Sequence, residues 1–194
     1  MARVRKQLQG IPQRGLVLGS HTAPVTIVEY GSFACPACAA VHRDVLPKVI
    51  DRYVRTGKAS LEFRGVAGEA SSPERDLALS SWAASTQRHG WDFVQLAYLR
   101  SLARGLPGTP IESPTTLAGA LGLDAKRLGT DATRPEWQTQ VRAAANVAGV
   151  TRMTTFPVFL LRERAKPDRP FVVLTRPGSV ASFANAVAEA QKAG

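Results

Sequence analysis

The cysteines constrain this chain more than any other feature, because it has only two, Cys35 and Cys38, in a C-x-x-C motif. The motif follows an apolar strand pattern over 24–30 and opens a helical pattern. A thiol in the first turn of a helix faces unpaired backbone N–H groups and the positive end of the helix dipole, and both favour the thiolate. We therefore expect Cys35 to be the nucleophile and Cys38, one turn deeper, to be a shielded thiol that forms a disulfide with it.

Two other uses of a C-x-x-C motif fit this sequence less well. A zinc site needs four ligands, and apart from the cysteines the chain offers His21, His42, His89 and carboxylates. A purely structural disulfide would close so short a loop that it would remove little entropy from the unfolded chain. The sequence therefore favours a redox-active Cys35–Cys38 disulfide that needs no metal or other cofactor.

Composition argues against a membrane-spanning protein and against a nucleic-acid binder. The 194 residues suit one domain with an inserted subdomain, and no stretch is apolar for long enough to cross a bilayer. The net charge of +10 comes mainly from scattered arginines, without the dense basic helix interleaved with aromatics that is typical of nucleic-acid binders. We expect no nucleic-acid partner, and a basic surface that could dock on an acidic partner or membrane surface.

The first part of the chain divides into two segments. Residues 1–21 are interrupted by glycine and proline and predict an arm with a short edge strand. Residues 22–71 hold a strand, the helix that begins at the cysteines and a second strand at 60–64. Together they predict a βαβ unit with a parallel strand pair. Pro47 should kink its helix.

The second part changes character twice. Residues 72–148 show helical patterns alone, and residues 149–194 return to two strands, read as a hairpin, and a last helix. The predicted helices of the middle segment lie near 73–87, 91–103, 114–121 and 135–148, with a loop at 105–110. Its aromatic side chains recur at helical spacing, which favours core packing over a cofactor site.

Glu29 is conspicuous in the first strand, which is otherwise mostly apolar. A carboxylate there is costly to bury unless it is satisfied or has a function. Burial beneath the cysteines would favour the neutral carboxyl, which could exchange a proton with Cys38 as the disulfide opens or closes. The alternative is a surface carboxylate on an edge strand.

Several stretches of the chain resemble one known family. They are LGSHTAPVTIVEY at 18–30, FACPAC at 33–38, HRDVLP at 42–47, TGK at 56–58 and FR at 63–64. With the βαβ unit, the later ββα unit and the Xaa-Pro dipeptide before the third strand, they resemble the thioredoxin fold. The inserted helical block narrows the resemblance to DsbA-type thiol:disulfide oxidoreductases. It covers about residues 10–190 and is strongest in the first third.

The resemblance implies an α/β fold and a set of residue roles. The fold would be βαβ…ββα, a mixed sheet with central parallel strands and an inserted all-helical subdomain. Cys35 resembles the surface nucleophile of the family and Cys38 its buried partner. Glu29 resembles the buried acid that assists proton transfer, and Pro157 the cis-proline opposite the disulfide.

Substrate contacts and departures from the family pattern follow from the same resemblance. We expect the outward backbone N–H and C=O of Phe156 to pair with an extended substrate, with Pro36 and Ala37 as further contacts. The dipeptide Pro36-Ala37 lacks the histidine of strongly oxidising members, which leaves the direction of electron flow open. Gly31 replaces an acidic or polar residue, and the lead to the cis-proline at 149–155 is longer than usual.

The resemblance also implies a function and its partners. The leading hypothesis is oxidation of cysteine pairs in exported proteins through a mixed disulfide at Cys35. A reductase or isomerase with the same site, and a redox-inactive peptide-binding module, are the alternatives. Expected partners are cysteine-containing polypeptides and a recycling redox partner, with a membrane-bound one as an option. We expect a monomer in the periplasm or cell envelope, rather than the cytoplasm, whose leader is absent from this chain.

Overall fold

A mixed β-sheet forms the centre of the molecule. The computed structural model describes residues 2–68, 72–103 and 111–192, and the loop predicted at 105–110 lies outside them. In this part of the chain the strands are β1 (Gln13–Arg14), β2 (Val17–Leu18), β3 (Val25–Gly31), β4 (Ala59–Gly65), β5 (Val158–Glu163) and β6 (Val172–Thr175). Their order is β1-β2-β4-β3-β5-β6, with β3 and β4 parallel and the other neighbours antiparallel. The predicted fold class is confirmed.

Helices flank the sheet and fill the span between β4 and β5. They are α1 (Ala2–Leu8), α2 (Pro36–Asp44), α3 (Leu46–Val49), α4 (Pro73–Thr86), α5 (Gly90–Ala103), α6 (Pro114–Leu121), α7 (Ala125–Ala132), α8 (Pro135–Val150) and α9 (Val180–Lys192). The sequence did not predict α1 or α7. Asp124 caps the start of α7, and α1 is held by the burial of Val4 and Leu8. None of the described helices has the length and hydropathy needed to cross a membrane.

The helix that begins at the cysteines is divided rather than kinked. Helix α2 ends at Asp44, Val45 caps it, and α3 continues into a π-helical turn over Ile50–Val54. Pro47 therefore lies in the first turn of α3, where its missing N–H leaves no hydrogen bond broken. The expectation of one helix kinked at Pro47 was wrong.

Strand β3 is central because apolar side chains meet it from both sides. Ile27 stands opposite Leu61 of β4 and Leu161 of β5, and all three are fully buried. Helix α9 covers one face of the sheet through Phe183, whose ring contacts that of Phe159 edge-on at 4.9 Å between centroids. These contacts hold β3, and the active-site turn that follows it, in a rigid frame.

The helices α4 to α8 are joined by aromatic packing. The rings of Trp82 in α4 and Trp137 in α8 stack with centroids 5.1 Å apart and planes 9° apart. Offset or stacked aromatic pairs of this kind stabilise a fold beyond the area that they bury. These rings pack against each other, as the helical spacing of the aromatics suggested.

Candidate active site

Cys35 caps the N-terminus of α2. Its backbone is extended, with φ −91° and ψ 111°, and its Sγ accepts a hydrogen bond from the backbone N–H of Cys38 at 3.1 Å. Pro36 follows in the first helical turn, where proline is favoured. Cys35 is half-buried, whereas Cys38 is fully buried, and both thiols are free. The strand-to-helix turn thus presents one thiol and hides the other.

The two thiols have opposite acidities. The pKa of Cys35 falls from its ordinary 9.0 to about 7, chiefly because the Cys38 thiol hydrogen-bonds to it. The backbone N–H groups of Cys38 and Ala37 lower it further, against burial and the charge of Glu29. The pKa of Cys38 is raised, because it donates to Cys35, is buried and lies near Glu29. At neutral pH about half of Cys35 is therefore thiolate, while Cys38 keeps its proton.

The residue before the predicted cis-proline lies against the reactive sulfur. The Phe156–Pro157 peptide bond is cis, which confirms that prediction. The carbonyl oxygen of Phe156 is 3.4 Å from Cys35 Sγ and accepts a hydrogen bond from its thiol. While Cys35 is protonated, its thiol occupies one of the two lone pairs of this carbonyl, and pairing of the other with a substrate stays a prediction.

Glu29 lies in the interior of the sheet. It is fully buried, and Phe63 of β4 and Phe159 of β5 stand opposite it. The alternative of a surface carboxylate on an edge strand was wrong. Its two oxygens are 3.0 and 3.1 Å from Nε2 of His42, and its charge raises the pKa of Cys38. The structure thus places a carboxyl group within electrostatic reach of both cysteines.

His42 and Gln95 were not among the predicted site residues. Both are fully buried, and Gln95 Oε1 is 2.7 Å from Nδ1 of His42. The Gln95 side-chain N–H donates to the backbone carbonyl of His42 at 2.9 Å. His42 follows Cys38 by four positions on α2, so helical spacing could have placed it on the same face. Gln95 has no such signal, because α5 brings it there through packing on α2.

Tyr98 and Gly31 complete the buried surroundings of the cysteines. The fully buried Tyr98 ring stacks on Phe33 at 4.9 Å and on His42 at 4.0 Å between centroids. Burial raises its pKa well above the ordinary value, and the neighbouring Cys38 and Glu29 add to this shift. A Cβ on Gly31 would lie 2.8 Å from the Tyr98 hydroxyl and 3.1 Å from Glu29 Oε1. A side chain larger than glycine would therefore displace this cluster, which explains the departure at Gly31.

A groove of about 530 Å³ runs past Cys35. Small and apolar residues from both ends of the helical block form its walls, among them Ala67, Ala148, Met153 and Phe156. Pro36 is exposed and Ala37 half-buried, and neither is among the lining residues. Among the described residues no cluster of three or more histidine, cysteine or carboxylate side chains could hold a metal ion.

The fold and the dithiol define a thioredoxin-fold protein with an inserted helical block. A family model described as Thioredoxin matches residues 12–163, and the chain therefore belongs to that family. Within it the architecture is of the DsbA type. The structure of alpha-DsbA1 from Wolbachia pipientis superposes with a TM-score of 0.74, at 20% identity over 94% of this chain and 92% of that one. The structure of oxidised BdbD from Bacillus subtilis superposes with a TM-score of 0.71, at 20% identity over 93% of this chain and 95% of that one.

One curated relative is similar in sequence as well. Disulfide bond formation protein D of Bacillus subtilis (strain 168) is 38% identical over 80 residues, which are 40% of this chain and 35% of that protein. The chain thus matches about a third of the length of this relative.

Proposed function

We propose that the chain is a thiol:disulfide oxidoreductase that oxidises cysteine pairs in polypeptides. One observation carries the proposal: a helix-capping Cys35 with a pKa of about 7 stands beside a buried Cys38 whose pKa is raised. A thiolate that is present at neutral pH makes Cys35 a nucleophile and a good leaving group, and thiol–disulfide exchange in either direction needs both. The oxidising direction is proposed from the similarity to a disulfide bond formation protein.

The reaction would proceed by two exchanges. A substrate thiolate attacks Cys35 Sγ in the Cys35–Cys38 disulfide, a mixed disulfide forms, and Cys38 leaves with the electron pair and takes up a proton. A second substrate thiolate then attacks the substrate sulfur of the mixed disulfide and releases Cys35 as a thiolate. The substrate has lost two electrons, and the enzyme has gained them as a dithiol.

Pro157, Phe156 and the groove would hold the substrate. The Phe156 carbonyl loses its donor when Cys35 enters a disulfide, because the thiol proton is then gone. An extended substrate segment can pair with that carbonyl in the oxidised form. Pro36 and Ala37 would contact the substrate from the other side of Cys35, since both precede Cys38 on the exposed turn.

The partners and the location belong to the same proposal. Cysteine-containing polypeptides would be the substrates, and a redox partner would recycle the dithiol. The disulfide itself would carry the electrons without a cofactor. We propose a monomer outside the cytoplasm, because both cysteines fall in the active motif and leave no spare thiol to mispair in an oxidising compartment.

The test is oxidation of a reduced, unfolded ribonuclease by the oxidised protein. We expect ribonuclease activity to recover faster with the oxidised protein than with glutathione disulfide alone. The Cys35→Ser variant should give no increase in this rate, and the Cys38→Ser variant should accumulate mixed disulfides on Cys35. Equilibration with glutathione gives the potential. A reduction potential well below that of the glutathione pool would show a reductase. A protein that exchanges disulfides with neither ribonuclease nor glutathione would be a binding module.

A further inference from the structure

Gln95 is held in one orientation. Its side-chain nitrogen is 2.9 Å from the backbone carbonyl oxygen of His42, and that oxygen can only accept a hydrogen bond. The amide nitrogen must therefore point there, and Oε1 must point to Nδ1 of His42 at 2.7 Å. Because an amide oxygen accepts and never donates, Nδ1 of His42 has to carry a proton.

The other ring nitrogen then determines the charge of Glu29 and His42 together. Nε2 faces both oxygens of Glu29 at 3.0 and 3.1 Å. Two facing lone pairs would repel each other, and two protons would not fit, so one proton lies between the groups. The pair is either a carboxylic acid with a neutral imidazole or a carboxylate with an imidazolium. Both forms are neutral overall, as full burial of both residues favours.

Few other titratable groups face this pair in the part of the chain that the structure describes. Cys35 and Cys38 interact with Glu29 from α2, and Tyr98 does so from α5. From β4 and β5 the residues opposite Glu29 are Phe63 and Phe159, which do not titrate. Among the described residues, the groups that could exchange a proton with the pair are therefore the two thiols and the Tyr98 hydroxyl.

We propose that Gln95 is a positioning residue that fixes His42 as the Nδ1–H form, so that the Glu29–His42 pair stores one proton for Cys38. This inference rests on the proposed oxidoreductase function. When a thiolate attacks Cys35, the Cys35–Cys38 bond breaks and its electron pair stays on Cys38. The stored proton moves to Cys38 Sγ, and the pair regains one from the solvent, so that a single proton again lies between Glu29 and His42 in the reduced protein. When Cys38 attacks a mixed disulfide, it returns its proton through the pair to the solvent.

The acidities of the groups agree with this direction of transfer. The pKa of the buried Cys38 is raised, so a thiolate formed there takes a proton readily. The Tyr98 hydroxyl and Glu29 Oε1 both approach the point where Gly31 lacks a Cβ, at 2.8 and 3.1 Å. Tyr98 interacts with both Cys38 and Glu29, which makes its hydroxyl a candidate relay between the pair and the leaving sulfur.

The first test is nitrogen NMR of protein labelled at its histidine rings. In the native chain Nδ1 of His42 should show the shift of a protonated nitrogen from pH 5 to pH 8, in both redox states. Free imidazole measured in the same buffers serves as the reference, because it changes its protonation over this range. An unprotonated Nδ1 at His42 would overturn the proposal, and this measurement needs no variant to fold.

The second test is the rate at which dithiothreitol reduces the Cys35–Cys38 disulfide. Gln95→Leu removes the acceptor, lets His42 carry its proton on Nε2 and leaves Glu29 as a carboxylate. We expect a fall of about tenfold or more that grows from pH 6 to pH 8, with the NMR signature moved to Nε2. Gln87→Leu is the matched control, since the Gln87 side chain bonds the backbone of Asp124, and it should keep the native rate.

The Glu29→Gln variant tests the loss of the stored proton separately from a change in the His42 tautomer. The introduced amide can donate to Nε2, so His42 should keep its proton on Nδ1, yet the pair has no proton to give. We expect a similar fall in rate with an unchanged NMR signature. If Gln95→Leu changed the His42 tautomer but not the reduction rate, or the rate but not the tautomer, the proposal would be overturned. Because a small dithiol is used, failure to oxidise a polypeptide would contradict the proposed function alone.

Discussion

Replacing Cys38 with alanine should raise the pKa of Cys35. The Cys38 thiol is the largest of the influences that stabilise the Cys35 thiolate. Alanine removes that donor but continues α2, so the backbone N–H at 3.1 Å from Cys35 Sγ and the N–H of Ala37 remain. The pKa of Cys35 should therefore settle between about 7 and 9.0.

The size of the effect follows from the thiolate fraction. At pH 6 a pKa of about 7 leaves roughly a tenth of Cys35 ionised, whereas 9.0 would leave roughly a thousandth. Each unit by which the pKa rises should slow alkylation at pH 6 about tenfold, because the thiolate is the nucleophile. At pH 10 the rates of the two proteins should be nearly equal, since Cys35 is then largely ionised in both.

The assay is alkylation of the reduced protein by iodoacetamide from pH 4 to pH 10, followed by mass spectrometry. Cys38→Ser is the matched control, because its hydroxyl still donates to Cys35 and should keep the pKa low. Equal pKa values in the alanine and serine variants would refute the reasoning and assign the whole effect to the backbone. In the native protein at pH 6, labelling of Cys38 before Cys35 would refute the choice of nucleophile.

Three further substitutions test the frame of the site. Glu29→Gln should slow disulfide reduction about tenfold or more without loss of stability, and unchanged stopped-flow rates from pH 5 to pH 8 would contradict a proton role. Gly31→Ala should lower the free energy of unfolding by about 1–3 kcal/mol in urea, because its Cβ would meet the Tyr98 hydroxyl at 2.8 Å. Gly68→Ala, with nothing within 4 Å of its Cβ, is the control, and equal losses would refute the clash. Phe183→Ala should lower the free energy of unfolding by about 3–5 kcal/mol, and a loss below about 1 kcal/mol would mean that α9 packs differently.

The sequence predicted those parts of the site that depend on local signals. Cys35 and Pro36 stand together at a strand-to-helix junction, and their chemistry is that of a helix N-terminus. Glu29 was found because a carboxylate interrupts an apolar strand. The helix bounds of the middle segment came out close to α4, α5, α6 and α8, since proline or a capping serine marks the start of three of them.

The sequence did not predict the features that depend on packing between distant segments. His42 and Gln95 are 53 positions apart and meet because α5 packs on α2. Helix α7 has Leu128 as its buried apolar side chain, so no hydrophobic stripe marks it. Helix α1 is short and basic, and it is stabilised because Val4 and Leu8 are buried in the core. In each case the tertiary contact, rather than the local pattern, stabilises the element.

The sheet order has a consequence for how this chain folds as it is synthesised. Strand β3 is central only when β5 lies beside it, and Cys35 and Phe156, which meet at the site, are 121 positions apart. In a nascent chain that ends within α8, β3 can pair with β4 but has an open edge on its other side, and Glu29 lies on the strand with this open edge. Pairings of such long range close slowly. The reactive centre is therefore among the last parts to form, and the open edge of β3 is where a partly made chain is most exposed to aggregation.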